Sequence, residues 1–207
     1  MLKVLAVLAV LVMAVSPAAA RTVSILVLGD SLSAGLGLQP SDAFPAKLEA
    51  ALKAKGLDVK VNNAGVSGDT AADGLARLDW ALSEDTGAVI VELGANDALR
   101  GLPPAQAEAA LGGILARLQE KKLPALVAGM RAPPNLGPDY QAGFDGMFAR
   151  LASQYGAILY PFFLDGVAAD PALNQADGMH PNPAGVDIIV SRILPSVEQL
   201  IRKAAAN

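Results

Sequence analysis

The sequence predicts a single-domain, three-layer α/β/α fold around a mostly parallel five-stranded sheet. Two observations carry that expectation. Five short apolar runs, bounded by glycine or polar turns, have the look of strands buried within a sheet. Between them lie segments of about a dozen residues with apolar side chains at helical spacing, and that alternation builds βαβ units with helices on both faces. A length of 207 residues suits one domain. A chain that is 53% apolar and 17% charged has ample material for a core and is not disordered.

The chain opens with an address. Lys3, the apolar run 4–15 and Ala18-x-Ala20 form a secretory signal over 1–20, with cleavage expected after Ala20. The run falls short of the ~20 residues that span a bilayer, which disfavours the competing reading as an uncleaved anchor. The mature domain is expected over 21–207, periplasmic or secreted, with no stable membrane insertion once the signal is removed. Its first strand is VSILVL at 23–28, closed by Gly29. Residues 41–55 read as a helix with Phe44, Leu48 and Leu52 on one face and Gly56 at its end. A brief second strand covers 59–61. Thr70 suits the N-cap of a helix carrying Leu75, Leu78 and Leu82. AVIVEL at 88–93 is the third strand. Pro103-Pro104 opens a helix with Leu111, Ile114, Leu115 and Leu118 inward, and ALVA at 125–128 is the fourth strand. Pro138 starts a helix with Phe144, Met147, Phe148 and Leu151 on its face, ended by Gly156; ILY at 158–160 is the fifth strand. After a looser stretch at 161–178, residues 182–206 form a closing helix, expected to kink near Pro195. No internal repeat or linker interrupts the series.

Composition removes several functions. With 20 Asp and Glu against 16 Lys and Arg the net charge is −4, unlike the basic footprint of a nucleic-acid binder, so no nucleic-acid partner is expected. Without cysteine there is no disulfide scaffold, thiolate metal site or cysteine nucleophile. One histidine, His180, makes a zinc site of ordinary ligands hard to assemble, so neither metal nor cofactor is expected. Gly35-x-Gly37 lacks the third glycine of a dinucleotide loop, having Pro40 there.

Ligands on parallel sheets bind beyond the carboxyl ends of strands, and four polar segments lie at such places or before the last helix. After the first strand, Gly29-Asp30-Ser31-Leu32-Ser33 offers Ser31 as a nucleophile whose own amide can also face an oxyanion. The competing reading is that Asp30 and Ser31 only cap a helix. After the second, the backbone N–H of Gly68 in Ser67-Gly68-Asp69-Thr70 can approach a ligand closely, or simply form a turn. Ser67 is a rival nucleophile, but Gly65-x-Ser67 continues to Asp69 rather than the glycine of a G-x-S-x-G elbow. After the third, Asn96 in Gly94-Ala95-Asn96-Asp97 is a neutral donor suited to developing negative charge, or a turn former. Before the last helix, Asp177 in Asp177-Gly178-Met179-His180-Pro181-Asn182 can fold back on the imidazole three residues on, leaving Nε2 free to take a hydroxyl proton.

Together these segments resemble the SGNH hydrolases, a branch of the GDSL esterases. Gly29-Asp30-Ser31-Leu32 matches the first family block, Gly68 the second, Gly94-Ala95-Asn96-Asp97 the third and Asp177-x-x-His180-Pro181 the last. The wider wording, including Val91-Glu92-Leu93-Gly94, Leu99-Arg100-Gly101 and Pro161-Phe162-Phe163, is similar to the bacterial acyl-CoA thioesterase I, lysophospholipase L1 and arylesterase subgroup. Ala95 stands where that subgroup more often has glycine, which leaves Asn96 in place. The likeness runs from about Val23 to the closing helix.

The resemblance implies a flavodoxin-like fold and a serine hydrolase cleaving acyl esters or thioesters through an acyl-serine intermediate. Ser31 would be the nucleophile, His180 the base and then acid, and Asp177 its partner. The amides of Ser31 and Gly68 with the Asn96 side chain would form the oxyanion hole. Small acyl esters, thioesters or lysophospholipids are the expected substrates, and a monomer suffices. A groove for the acyl chain is expected between loops 98–104 and 132–137, which carry Leu99, Leu102 and Leu136. Two alternatives stay open: a carbohydrate O-acetylesterase of the cell envelope, and an inactive lipid-binding module.

Overall fold

The structure, a computed structural model, describes residues 22–206; the expected signal segment 1–20 lies outside the described residues. Five strands form one wholly parallel sheet: β1 (Val23–Gly29), β2 (Val59–Gly65), β3 (Thr86–Glu92), β4 (Ala125–Ala128) and β5 (Ile158–Tyr160). Their spatial order is β2-β1-β3-β4-β5, so the chain steps outward from β1 to β2, returns to the far side of β1, and proceeds to β5. This is the flavodoxin-like order, and its reversal lies between β1 and β3.

Among the described residues, seven α-helices surround the sheet. They are α1 (Ser31–Ala34), α2 (Phe44–Ala54), α3 (Ala71–Ala81), α4 (Ala95–Leu99), α5 (Pro104–Glu120), α6 (Pro138–Tyr155) and α7 (Pro183–Ala205). α2 packs with α7 on one face, and α3, α5 and α6 pack side by side on the other. Ile25, Val27 and Leu28 in β1 and Val89, Ile90 and Val91 in β3 are essentially inaccessible. At roughly 25 cal/mol per Å² of apolar surface, this two-sided burial is the main force assembling the layers. Phe44, Leu48 and Leu52 of α2 and Leu111, Ile114, Leu115 and Leu118 of α5 supply the facing apolar stripes, as their spacing predicts.

Helix ends follow local chemistry. Thr70 and Asp73 form a reciprocal capping box at α3, and the Asn182 side chain accepts from Gly185 N–H at the start of α7. α7 continues through Pro195 because that residue faces solvent, where water can satisfy the carbonyl that proline leaves without a donor.

Three differences from the sequence reading have physical causes. α1 and α4, of four and five residues, are too short to display a periodic stripe, so the periodicity reading missed both. β2 runs on to Gly65 rather than stopping at 61, because it is an edge strand whose exposed half accepts polar Asn62 and Asn63. α2 begins at Phe44 rather than 41, the preceding Pro40–Asp42 forming a separate 3-10 turn.

β1, β2 and β3 end level with one another, Gly29 pairing in register with both Gly65 and Glu92. At Gly65 a Cβ would lie 2.4 Å from the Ala34 backbone nitrogen and 2.9 Å from the Asp30 carbonyl oxygen, so α1 rests directly on this glycine. Gly65→Ala is therefore expected to cost about 1–3 kcal/mol of overpacking, a melting-temperature loss of roughly 3–10 °C. It should also lower esterase activity by displacing α1. A variant with wild-type melting temperature and rate would show that the contact has slack.

Candidate active site

The cleft opens where the three strand ends meet. β1 delivers the chain at Gly29 into Asp30, whose Oδ1 caps α1 by accepting from Leu32 N–H at 3.0 Å. Ser31 is the first residue of α1, so its N–H lies outside the intrahelical ladder. Beyond β2, Gly68 holds φ at 90°, where a side chain is strained; a Cβ there would meet only Arg100 Nη2 at 3.7 Å. Backbone conformation rather than crowding demands the glycine. Beyond β3, Asn96 in α4 donates from Nδ2 to Asp30 Oδ2 at 3.1 Å and to the Asp69 carbonyl at 3.0 Å.

The fourth segment arrives from the opposite wall. Asp177 Oδ1 accepts the backbone N–H groups of Met179 and His180 at 2.9 and 3.0 Å, which folds the loop into a tight turn. Its other oxygen lies 2.6 Å from His180 Nδ1, and His180 Nε2 lies 2.9 Å from Ser31 Oγ. Those two backbone donors, followed by the imidazole, hold the Asp177 carboxyl down at about 2. Gln175 staples the loop to the other side of the cleft, donating from Nε2 to the Leu36 and Pro181 carbonyls.

Four of the five residues singled out in the sequence, Ser31, Gly68, Asn96 and His180, line one cavity of about 370 Å³, and Asp177 stands behind His180. Ser67 also borders the cavity, but the imidazole reaches Ser31 instead. The apolar wall differs in part from expectation. Leu99 and Pro133 belong to it, while Leu102 and Leu136 do not; Leu136 packs against the core. Leu36, Met130, Leu164 and Met179 also line it. Met179 lies within the Asp177-x-x-His180 segment, whereas Met130 and Leu164 come from segments without a site motif, joined to it only by the fold. Arg77 was likewise missed. From α3 it donates to Asp69 Oδ2 at 2.6 Å and to the Gly29 carbonyl at 2.9 Å, bracing the turns after β1 and β2 together. Asp97, buried, accepts from Ala71 N–H and ties α4 to α3. Among the described residues, no group of three or more His, Asp or Glu side chains is placed to hold a metal ion.

At the switch point of this parallel sheet, a serine hydroxyl, an imidazole and a carboxylate stand in hydrogen-bond series, the groups that acyl transfer to a serine requires. The GDSL-like lipase/acylhydrolase family model matches residues 27–188, and the chain belongs to that family. It is similar to esterase TesA of Pseudomonas aeruginosa, 41% identical over 92% of this chain and 94% of that one. It is also similar to thioesterase 1/protease 1/lysophospholipase L1 of Escherichia coli K12, 38% identical over 88% of this chain and 87% of that one. Among solved structures, the SGNH-hydrolase family esterase AlinE4 is 48% identical, with a TM-score of 0.74 over 88% of this chain and 98% of that one.

Burial, above all, lifts the Asp30 carboxyl from 3.8 to about 6, against the Leu32 N–H, His180 and the Asn96 amide, which favour its charge. The folded state thus binds this proton more readily than the unfolded state. The associated stability is present below about 4 and is lost as pH rises through about 6, an effect of about 3 kcal/mol. Wild type is expected to lose up to about that much relative to Asp30→Asn between pH 4 and 6.5 in denaturant melts. Parallel stability curves would refute a buried charge at this position.

Proposed function

We propose that the chain hydrolyses acyl esters and thioesters through an acyl-Ser31 intermediate, outside the cytoplasm. The observation that carries this reading is the single imidazole, 2.9 Å from Ser31 Oγ and 2.6 Å from Asp177 Oδ2. With Nδ1–H donated to Asp177, Nε2 is the lone-pair nitrogen and takes the Ser31 proton as Oγ attacks the acyl carbon. The carbonyl π electrons move to oxygen. This oxyanion is received by the N–H groups of Ser31 and Gly68 and by Asn96 Nδ2. Asn96 enters that role by turning one amide hydrogen away from the neutral Asp69 carbonyl, since an anionic oxygen is the stronger acceptor. Collapse expels the alcohol or thiol, which leaves with the proton from His180. Water, deprotonated by the same nitrogen, then hydrolyses the acyl-serine.

The cavity supports acyl chains longer than acetate, because Leu99, Met130 and Leu164 line it with apolar side chains, while Arg131, also at its border, lies over the Phe162 ring. Lysophospholipids fit the reading, with the headgroup toward solvent past Leu36 and Met179, each about half exposed. The signal-like sequence at 1–20 supports a periplasmic or secreted domain over 21–207. Among the described residues no helix is long and apolar enough to cross a membrane.

Ser31→Ala is expected to lower kcat by about 10³-fold or more and to abolish labelling by an organophosphonate. With p-nitrophenyl esters from acetate to palmitate, turnover should extend beyond acetate. Activity confined to acetate would favour a carbohydrate O-acetylesterase. An unlabelled, inactive wild-type chain would favour a lipid-binding module, and an active Ser31→Ala would end the serine mechanism.

A further inference from the structure

Glu92 closes β3 and is fully buried, as are Asp30 and Ser33 beside it. Its Oε2 accepts from the Ser33 hydroxyl at 2.7 Å, while its Oε1 is buried without a hydrogen-bond partner. The space it occupies is made by Gly29: a Cβ there would lie 2.4 Å from Ser33 Oγ and 2.9 Å from Glu92 Oε2. Nothing in the reaction described above uses this carboxyl group. A buried ionisable side chain is costly, and an apolar residue of similar volume would fill the place at lower cost.

We propose that Glu92 is a positioning residue of the reaction, holding Ser33 and thereby the short helix that aims Ser31; this rests on the serine mechanism above. Four residues of helix have no stability of their own, so α1 keeps its place only through anchors. Asp30 anchors its start through Leu32 N–H, and Glu92 anchors its third residue through the Ser33 side chain. Asp30 in turn holds the Asn96 amide, so one buried pair of carboxyl groups underlies both the nucleophile and an oxyanion donor.

Two adjacent buried carboxyl groups do not both ionise. Glu92 is the neutral member. Burial first, and the Asp30 charge second, push its carboxyl well up, outweighing the Ser33 hydroxyl and the N–H groups of Asp30 and Ser33. Asp30 keeps the charge, facing Asn96, Leu32 N–H and His180, with Asp69 opposing and Arg77 on the neighbouring Gly29 carbonyl. The neutral acid thus keeps a second negative charge out of the space beneath Ser31.

The test compares wild type with Glu92→Ala, Glu92→Gln, Ser33→Ala and, as control, Ser31→Ala, on p-nitrophenyl butyrate. Glu92→Ala is expected to lower kcat about tenfold or more with KM within about twofold, because misplacing a nucleophile costs rate rather than binding. Glu92→Gln, neutral and of the same shape, should recover most of that loss. Ser33→Ala should lower kcat in the same way, which keeps the test in force if Glu92→Ala does not fold. The infrared difference between wild type and Glu92→Gln at pH 7 should show the C=O band of a protonated carboxyl. Wild-type kcat in Glu92→Ala or Ser33→Ala, or a carboxylate band in place of the acid band, overturns the proposal. An active Ser31→Ala overturns instead the serine mechanism beneath it. An inactive Ser31→Ala beside an unimpaired Glu92→Ala removes Glu92 alone.

Discussion

Three strand ends at one level are the constraint on which the rest of this molecule depends. Gly29 pairs with Gly65 on one side and with Glu92 on the other, so the chain leaves β1, β2 and β3 at the same height. Parallel strands make this possible, since every carboxyl end lies on one edge and each return is made by a helix on a face. Because the order reverses between β1 and β3, the turn after β1 lies between the turns after the other two. Ser31, Gly68 and Asn96 meet for that reason, although 65 positions separate the first from the last. The tight seat of α1 on Gly65 follows from the same level ending.

Behind the cleft the turns are joined by polar groups rather than apolar packing. Arg77 links the Gly29 carbonyl to Asp69, Asp69 accepts from Asn96, Asn96 donates to Asp30, and Asp30 caps α1 above the Glu92–Ser33 pair. Such a chain spends desolvation energy on each buried member and returns it only when nearly all partners are present. The gain is directional. Hydrogen bonds fix orientation within a few tenths of an ångström, whereas apolar contacts leave side chains free to slide. A core that drives folding and a polar layer that aims groups are thus stacked at the same sheet edge.

Legibility from sequence divides along that boundary. The buried strands and the long helices show as apolar runs and stripes because each is a local consequence of burial on one or two faces. Ser31, Gly68, Asn96, Asp177 and His180 stand out because each interrupts or follows such a run at a strand end or before a helix. Arg77 does not stand out: its partner carbonyl is 48 residues away, and within α3 it reads as one more polar position. Glu92 shows in the sequence within AVIVEL and the family-like wording Val91-Glu92-Leu93-Gly94 without a role of its own, although a carboxyl group among residues buried on both faces is itself a signal of an unusual environment. The apolar wall was half legible, since Leu99 lies beside the Asn96 segment while Met130 and Leu164 come from the loops after β4 and β5.

The two sides of the cleft are held by different means, and that difference shapes how they respond to change. Ser31 sits on a helix anchored from below by buried groups of three strands, so disturbances in the sheet edge reach it directly. His180 and Asp177 occupy a loop whose geometry is mostly its own, set by two backbone donors to one carboxylate within four residues. That loop meets the rest through the Asn174–Pro181 bridge, the Gln175 amide on the Leu36 carbonyl and the Asn182 cap of α7. Loss of one of these would shift the imidazole as a unit with its carboxylate, lengthening the 2.9 Å contact to Ser31 while leaving the 2.6 Å pair intact. The weak joint of the proposed triad is therefore the gap between serine and histidine, where two independently built walls face each other.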